Sequence, residues 1–408
     1  MFYFLPGELF AVEDSFFIKK FAFERKICQT VAVERQIIFS FPMSNFKKPL
    51  EQQSNFRFCS SISDDVWHPS DESSAYEWWY FDAVGDDGRD ALTIIFLDNF
   101  IFSPRYNKSC AKKPTNNEQR TTNKFPAIAF TYYRDGKILY RAINEFSGKD
   151  FSARTDFPAC QIGESRFDFE ATPYGVRYLV NIEAVLSGNR RLSASLEWLV
   201  IERDFLPPTP ETQPSHFWNL AAPRADVTGK ISVFAKNGNR QNQIQFRGTG
   251  YHDHNQDARW LPSTVSQWQW GRAHFAEATA VFYRYCEKNC TESLTKLFLI
   301  RENDFTVFSP SYAENAKRRN VFGVKYPKQL DFLTEKDVLF SVKQTRVIDA
   351  SFFYLRFLSE MELDLGDGEK HKAVGITEHL APRSLGWRPL DWLVNMRIGR
   401  NGRGAFLP

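Results

Sequence analysis

Residues 166–200 alternate apolar and polar side chains in three successive runs. Half-buried antiparallel strands produce that pattern, because successive side chains of a strand point to opposite faces of a sheet. Phe167, Phe169 and Ala171 alternate with Arg166, Asp168 and Glu170. Val176, Tyr178, Val180, Ile182 and Ala184 alternate with a set that includes Arg177, Asn181 and Glu183, and Leu192, Ala194, Leu196, Trp198 and Val200 with Arg191, Ser193, Ser195 and Glu197. Pro173-Tyr174-Gly175 and Ser187-Gly188-Asn189 supply turn chemistry between the runs, so consecutive hairpins follow. Similar runs recur at 92–97, 126–133, 137–143, 229–235, 243–248, 268–275, 278–285, 295–301, 338–343, 352–358 and 373–379. Long helical patterns are few, so the chain is expected to be all-β, built of barrels or sandwiches.

A chain of 408 residues has room for two such domains. The division is expected within 203–227, where Pro207, Pro208, Pro210, Pro214 and Pro223 interrupt strand formation. That gives an N-terminal extension at 1–63, a first β domain at 64–225 and a second at 226–400. Apolar runs in the first 42 residues are broken by Glu8, Glu13 and Asp14, which makes a poor signal peptide, and Met43 opens a polar stretch typical of an amino terminus. Segment 103–125 is polar, basic and aperiodic, and reads as a surface loop or a lid. Near the other end, Arg388 to Arg397 has an early proline and apolar residues at helical spacing, which predicts one short helix covering a barrel end.

The 52 basic and 49 acidic residues are interspersed, so no nucleic-acid partner is expected. No stretch is long and apolar enough for a membrane helix. A cytoplasmic location follows as an expectation, with peripheral membrane contact for substrate uptake as an addition that so short a C-terminal helix supports only weakly. Cys28, Cys59, Cys110, Cys160, Cys286 and Cys290 form no CxxC pair and read as free thiols in a reducing compartment. Asn107-Lys108-Ser109 and Asn289-Cys290-Thr291 match the glycosylation pattern, a triplet common by chance. The 39 Phe, 15 Tyr and 10 Trp fit an apolar pocket as well as a packed core.

Two segments crowd ionisable and aromatic residues together. In Tyr76-Glu77-Trp78-Trp79-Tyr80-Phe81-Asp82, a strand would put Glu77, Trp79 and Phe81 on one face and Trp78, Tyr80 and Asp82 on the other. Gly248-Thr249-Gly250-Tyr251-His252-Asp253-His254-Asn255 is followed by a strand whose Trp268, Trp270, Arg272 and His274 share a face. The glycines let the backbone bend so that Tyr251 to Asn255 face inward. Candidate lining residues are therefore Glu77, Trp79, Tyr80, Asp82, His254, Asn255, Trp268, Trp270, Arg272 and, from the 278–285 strand, Tyr283. Structural roles compete for each: Glu77 and Asp82 suit ion pairing in a core, and tryptophans more often fill barrels than cradle cations. His252 and His254 could be metal ligands with His274 or Asp257, but hydrogen-bonded histidines are commoner and no HExxH helix is present, so no metal is expected.

These segments, with Leu92–Leu97 running on to Phe102-Ser103-Pro104 and with Trp268-Gln269-Trp270-Gly271-Arg272, resemble the hydroxyneurosporene synthase, or carotenoid 1,2-hydratase, family over about residues 64–400. That family in turn resembles lipocalin-like cyclases, including Diels–Alderases. The resemblance implies two consecutive lipocalin-like β domains, no cofactor, and addition of water to the terminal double bond of an acyclic carotenoid or other isoprenoid.

Hydrating an unactivated trisubstituted alkene requires a carboxylic acid kept protonated by an apolar surround, aromatic faces to hold the tertiary cation, and one delivered water. Asp253 is the expected acid, with Tyr251 and His252 shaping its protonation and Trp268, Trp270 and Trp79 stabilising the cation. Two other functions fit the same hydrophobic small-molecule ligand. One is a cofactor-independent cyclase or pericyclase folding a polyene, and the other is a lipid carrier without a buried acid.

Overall fold

The computed structural model describes residues 56–111, 124–207, 216–288, 293–301, 304–334, 337–386 and 388–407. The expectations for residues 1–55, for most of the proline-rich stretch, for Cys28, and for Asn289 to Thr291 lie outside these residues.

Strands β1 (Phe56–Cys59), β2 (Tyr76–Gly85), β3 (Asp90–Leu97), β4 (Ala127–Arg134) and β5 (Lys137–Glu145) begin the first sheet. It continues through β6 (Phe151–Ala153), β7 (Ala159–Ile162), β8 (Ser165–Thr172), β9 (Gly175–Val185), β10 (Arg191–Glu202), β11 (His216–Phe234) and β12 (Arg240–Asp257). The second sheet comprises β13 (Val265–His274), β14 (Thr279–Glu287), β15 (Leu294–Arg301), β16 (Asp304–Phe308) and β17 (Ser311–Arg319). It is completed by β18 (Lys325–Leu333), β19 (Val338–Ala350), β20 (Tyr354–Asp364) and β21 (Lys370–Leu380). A last strand, β22 (Gly399–Arg400), returns to β5 of the first sheet. The three α-helices among the described residues are short: α1 (Pro104–Cys110), α2 (Leu261–Thr264) and α3 (Asp391–Asn395).

The first sheet has the order β22-β5-β4-β3-β2-β12-β11-β10-β9-β8-β7-β6 with β1 parallel to β11, and the second β16-β15-β14-β13-β21-β20-β19-β18-β17. The fold is thus all-β, with two consecutive curled sheets and a short C-terminal helix. Each sheet wraps one face around a core of its own. Trp79, Phe81, Phe96, Phe130, Phe167, Tyr178 and Trp198 fill the first, and Phe282, Phe332, Phe340 and Met361 the second. Asn144 joins β5 to β9 across the first curl, its amide donating to the Val185 carbonyl at 3.0 Å and accepting the Val185 N–H at 2.7 Å. The opposite faces of β2, β11 and β12 meet β13 and β14, and a third apolar cluster forms there around Trp78, Tyr80, Trp218, Trp270 and Tyr283. Burying an aromatic side chain of this size contributes about 3 kcal/mol, and aromatic rings make up more than half of the third cluster.

Several boundaries differ from expectation. The division expected at 225/226 falls inside β11, which runs unbroken past Pro223 because its register against β12 shifts between Asn219 and Ala222 and again between Ala222 and Ala225. The chain changes sheets between Asp257 and Val265 instead. The 103–125 segment contains α1, capped by Ser103 Oγ accepting the Arg105 N–H and opened by Pro104, a start signal that the basic composition obscured. Asn107 is buried, donates to the Ile101 and Ser103 carbonyls, and so is not an open glycosylation acceptor. Cys59, Cys110, Cys160 and Cys286 are free thiols.

Candidate functional site

Alternation along β2 and β12 sends neighbouring residues of the two candidate segments into different interiors. The strands pair antiparallel with Asp253 opposite Tyr80, His252 opposite Phe81 and Tyr251 opposite Asp82. Gly250 permits the close approach, since a Cβ there would fall 2.6 Å from Trp198 Nε1 and 2.9 Å from the Asp82 carbonyl oxygen.

Glu77, Trp79, His252 and His254 face the core of the first sheet. His252 Nε2 lies 2.9 Å from Asp65 Oδ2, and its Nδ1 lies 3.0 Å from the Tyr80 carbonyl oxygen. His254 lies between Asp65 Oδ1 at 3.2 Å and Glu77 Oε1 at 2.7 Å, stacked on Trp79. Glu77 also meets His68 Nδ1 at 2.9 Å. Burial opposes a charge on His254, but its two carboxylate partners outweigh burial and lift it to about 9. Burial likewise works to raise Asp65, yet His252 and His254 hold it well below the usual carboxylate range. The role expected for His252 beside Asp253 is therefore corrected: the two side chains lie on opposite faces of β12. Trp79 is likewise across the sheet from Trp268 and Trp270. His68, Glu77 and His254 each bring a potential metal-ligand atom within 4.8 Å of the others, and Glu77 already meets both histidines at hydrogen-bond distance. The set considered from sequence does not assemble, because Asp257 faces the other interior and His274 Nε2 meets the Pro223 carbonyl.

The face between the sheets holds Tyr251, Asp253 and Asn255. Asp253 is 4% exposed, and its Oδ2 accepts from Trp218 Nε1 at 3.0 Å and from Tyr251 Oη at 2.7 Å. Its Oδ1 accepts from Asn255 Nδ2 at 3.1 Å. Burial raises the carboxyl to about 8, against the hydrogen bonds from Trp218 and Tyr251 and with help from the charges of Glu378 and Asp82. Tyr251 Oη in turn accepts from Trp270 Nε1 at 3.2 Å. Behind Asp253, Trp218 stacks on Tyr283 with centroids 4.6 Å apart, and the Tyr283 hydroxyl meets His216 Nε2 at 2.6 Å.

Across the gap β2 and β13 meet in three rungs. Trp78 stacks on Trp268, Tyr80 meets Trp270 edge to face at 5.2 Å, and Asp82 pairs with Arg272, whose Nε donates at 2.9 Å. The Asp82–Arg272 pair is almost wholly buried, so neither charge has solvent to fall back on. Trp268 and Trp270 also form part of the wall of a hollow between the sheets. Its volume is about 200 Å³.

The hollow is apolar along Leu97, Phe100, Phe102, Phe353, Leu380 and Leu393. It is polar where Thr93, Thr131 and Arg141, side by side on β3, β4 and β5, approach Glu378, Arg356 and Asp349, side by side on β21, β20 and β19. Arg141 and Asp349, 2.5 Å apart, tie the two rows together. Thr93 Oγ1 and Tyr354 Oη have no hydrogen-bond partner among the described residues.

Of the expected lining residues, Tyr80, Trp268 and Trp270 line this hollow. Asp253, Tyr251, Asn255, Asp82, Arg272 and Tyr283 stand behind that wall, and Glu77, Trp79, His252 and His254 lie on the far side of the sheet. Sequence reasoning missed Asp65, which sits in a short loop without periodicity. It also missed His216 and Trp218, which alternate with Phe217 just after the proline-rich stretch.

A family model described as carotenoid hydratase CrtC matches residues 196–406. The chain is 25% identical over 353 residues to a hydroxyneurosporene dehydrogenase of Chlorobaculum tepidum, covering 84% of this chain and 92% of that protein. It is 23% identical to an acyclic carotenoid 1,2-hydratase of Thiocapsa roseopersicina, covering 71% of this chain and 65% of that one. A second acyclic carotenoid 1,2-hydratase, from Rubrivivax gelatinosus, is 25% identical, with 52% of this chain matched to 48% of the relative. Among solved structures, CghA aligns with a TM-score of 0.47 and 13% identity, over 76% of this chain and 89% of CghA. Kievitone hydratase from Nectria haematococca aligns at 0.43 and 10%, over 80% of this chain and 98% of that one.

Proposed function

This chain belongs to the carotenoid hydratase family, and from that premise we propose that it adds water to the terminal trisubstituted double bond of an acyclic carotenoid or related isoprenoid, without a cofactor and with Asp253 as proton source. The observation that carries the reading is Asp253 itself, a buried carboxyl raised to about 8 next to an aromatic wall. At neutral pH such a group keeps its proton and has no anionic charge to lose on approach of a hydrocarbon.

The rings of Tyr80 and Trp270 separate Asp253 from the hollow, and the end of the substrate parts them to reach it. Asp253 gives its proton to the less substituted alkene carbon, and the positive charge forms on the tertiary carbon. The faces of Trp270, Tyr80 and Trp268 stabilise that cation. Water bonds to the tertiary carbon and releases a proton, which the Asp253 carboxylate takes back. Tyr251 and Trp218 hold the carboxylate during the interval in which it is charged. The hydroxyls of Thr93 and Tyr354, which have no hydrogen-bond partner among the described residues, offer incoming water bonding partners beside the polar groups of the hollow.

The test is turnover of an acyclic carotenoid in heavy-oxygen water with mass analysis of the product. One labelled tertiary hydroxyl per reacted end supports the proposal. An isomeric, unlabelled product would establish cyclisation instead, and unchanged substrate retained by the protein would establish carriage.

A further inference from the structure

Three segments expose large apolar side chains beside residues that line the hollow. Val321 and Phe322 form the tip between β17 and β18, 93% and 42% exposed, and Phe322 itself lines the hollow. Trp392 on α3 is 58% exposed and precedes Leu393 and Val394, both lining residues. Phe406 is 80% exposed and precedes Leu407, another lining residue, whose N–H is tied to the Met396 carbonyl beyond α3 at 2.8 Å. Isolated exposed apolar residues are ordinary on any protein surface. Their position beside the lining of one hollow marks a contact surface.

The charge around the tip names the partner. Lys317, Arg318, Arg319 and Lys325 flank Val321 and Phe322 and are all exposed, and no acidic residue occurs between Asn315 and Leu330. Exposed apolar tips framed by basic side chains match a bilayer with anionic headgroups, where the cations meet phosphates and the apolar groups enter the acyl boundary. Trp392 suits the same depth, since an indole has an apolar body and a polar N–H. Among the described residues no helix is long and apolar enough to cross a membrane.

We propose that the rim formed by Val321, Phe322, Trp392 and Phe406 docks on an anionic lipid surface, so that an apolar substrate passes from the bilayer into the hollow without crossing water. The passage of substrate rests on the function proposed above; the docking itself does not.

The test is co-sedimentation of the full chain with vesicles of phosphatidylcholine alone or mixed equally with phosphatidylglycerol. Binding is expected to the mixed vesicles, to weaken at least tenfold as salt rises from low to about 0.5 M, and to be weak on phosphatidylcholine alone. Val321→Asp, Trp392→Ser and Phe406→Ser combined are expected to lower binding at least tenfold with an unchanged melting curve, since none of the three lines the hollow. Arg318→Glu with Arg319→Glu is expected to abolish the preference for phosphatidylglycerol. The same variants are expected to retain turnover of substrate dispersed in detergent and to lose it when the substrate is loaded into vesicles.

A wild-type chain that leaves both vesicle types unbound overturns the proposal, as do rim variants that bind like the wild type. Binding that behaves as expected while no substrate is hydrated in either format would leave the docking surface standing and sink the hydratase reading.

Discussion

Tyr251 Oη lies 2.7 Å from Asp253 Oδ2, two residues along the same strand, with both groups sealed from solvent between the two sheets. The phenol can therefore stabilise the carboxylate once its proton has left, and the fixed spacing of alternate strand residues holds that distance.

Asp253→Asn keeps the shape and the hydrogen-bonding surroundings but removes the transferable proton. Turnover is expected to fall by about two to four orders of magnitude, the usual contribution of a positioned acid, with the melting curve nearly unchanged. In the wild type, kcat should hold below about pH 8 and fall about tenfold per unit above it, because only the protonated carboxyl acts. The same group works against stability as pH rises. Its folded value exceeds its unfolded one, so the native state binds the extra proton, and stability from this site declines from about pH 4 to pH 8. Urea titrations across that window and rate profiles carried above about pH 8 check both signs.

Trp270 makes two separable contributions, an indole N–H given to Tyr251 and a ring that lines the hollow. Trp270→Phe removes the first and keeps most of the second, whereas Trp270→Leu removes both. The leucine variant is expected to lose about 10-fold more kcat/KM than the phenylalanine variant, in line with ~1–2 kcal/mol for a desolvated cation over an aromatic face. Equal losses would show that the ring face contributes nothing.

The buried Asp82–Arg272 pair joins β2 to β13, so removing one partner strands the other charge in an apolar interior. Asp82→Ala is expected to destabilise the protein by about 3–5 kcal/mol in equilibrium denaturation, while Asp82→Leu with Arg272→Met recovers much of that loss. A double-mutant cycle with a coupling near zero would contradict the pairing.

The alternation that made the Tyr76–Asp82 strand legible also gave its two faces, yet it could not say which face met which interior. That depends on β12 and β13, strands far away in sequence, and nearness along the chain alone places His252 with Asp253. The strands around 166–200 were readable because one face is greasy and the other wet. β17 carries Asn315, Lys317, Arg318 and Arg319 with most of its side chains exposed, and offered no apolar rhythm to detect. Asp65 lacks any local signature, since its importance comes from two histidines nearly two hundred positions downstream. The Trp268, Trp270 and Arg272 face was visible in sequence, but only coordinates pair it with Trp78, Tyr80 and Asp82.

β12 serves as a party wall, and everything depends on its phase. Sliding it by a single position against β2 would turn the imidazoles of residues 252 and 254 toward the greasy side and push the carboxyl of residue 253 in among the histidines' former partners. A neutral donor would be exchanged for a cation, and neither interior would be satisfied. One-residue insertions or deletions between Gly248 and Asp257 should therefore be tolerated far less well than most point substitutions there.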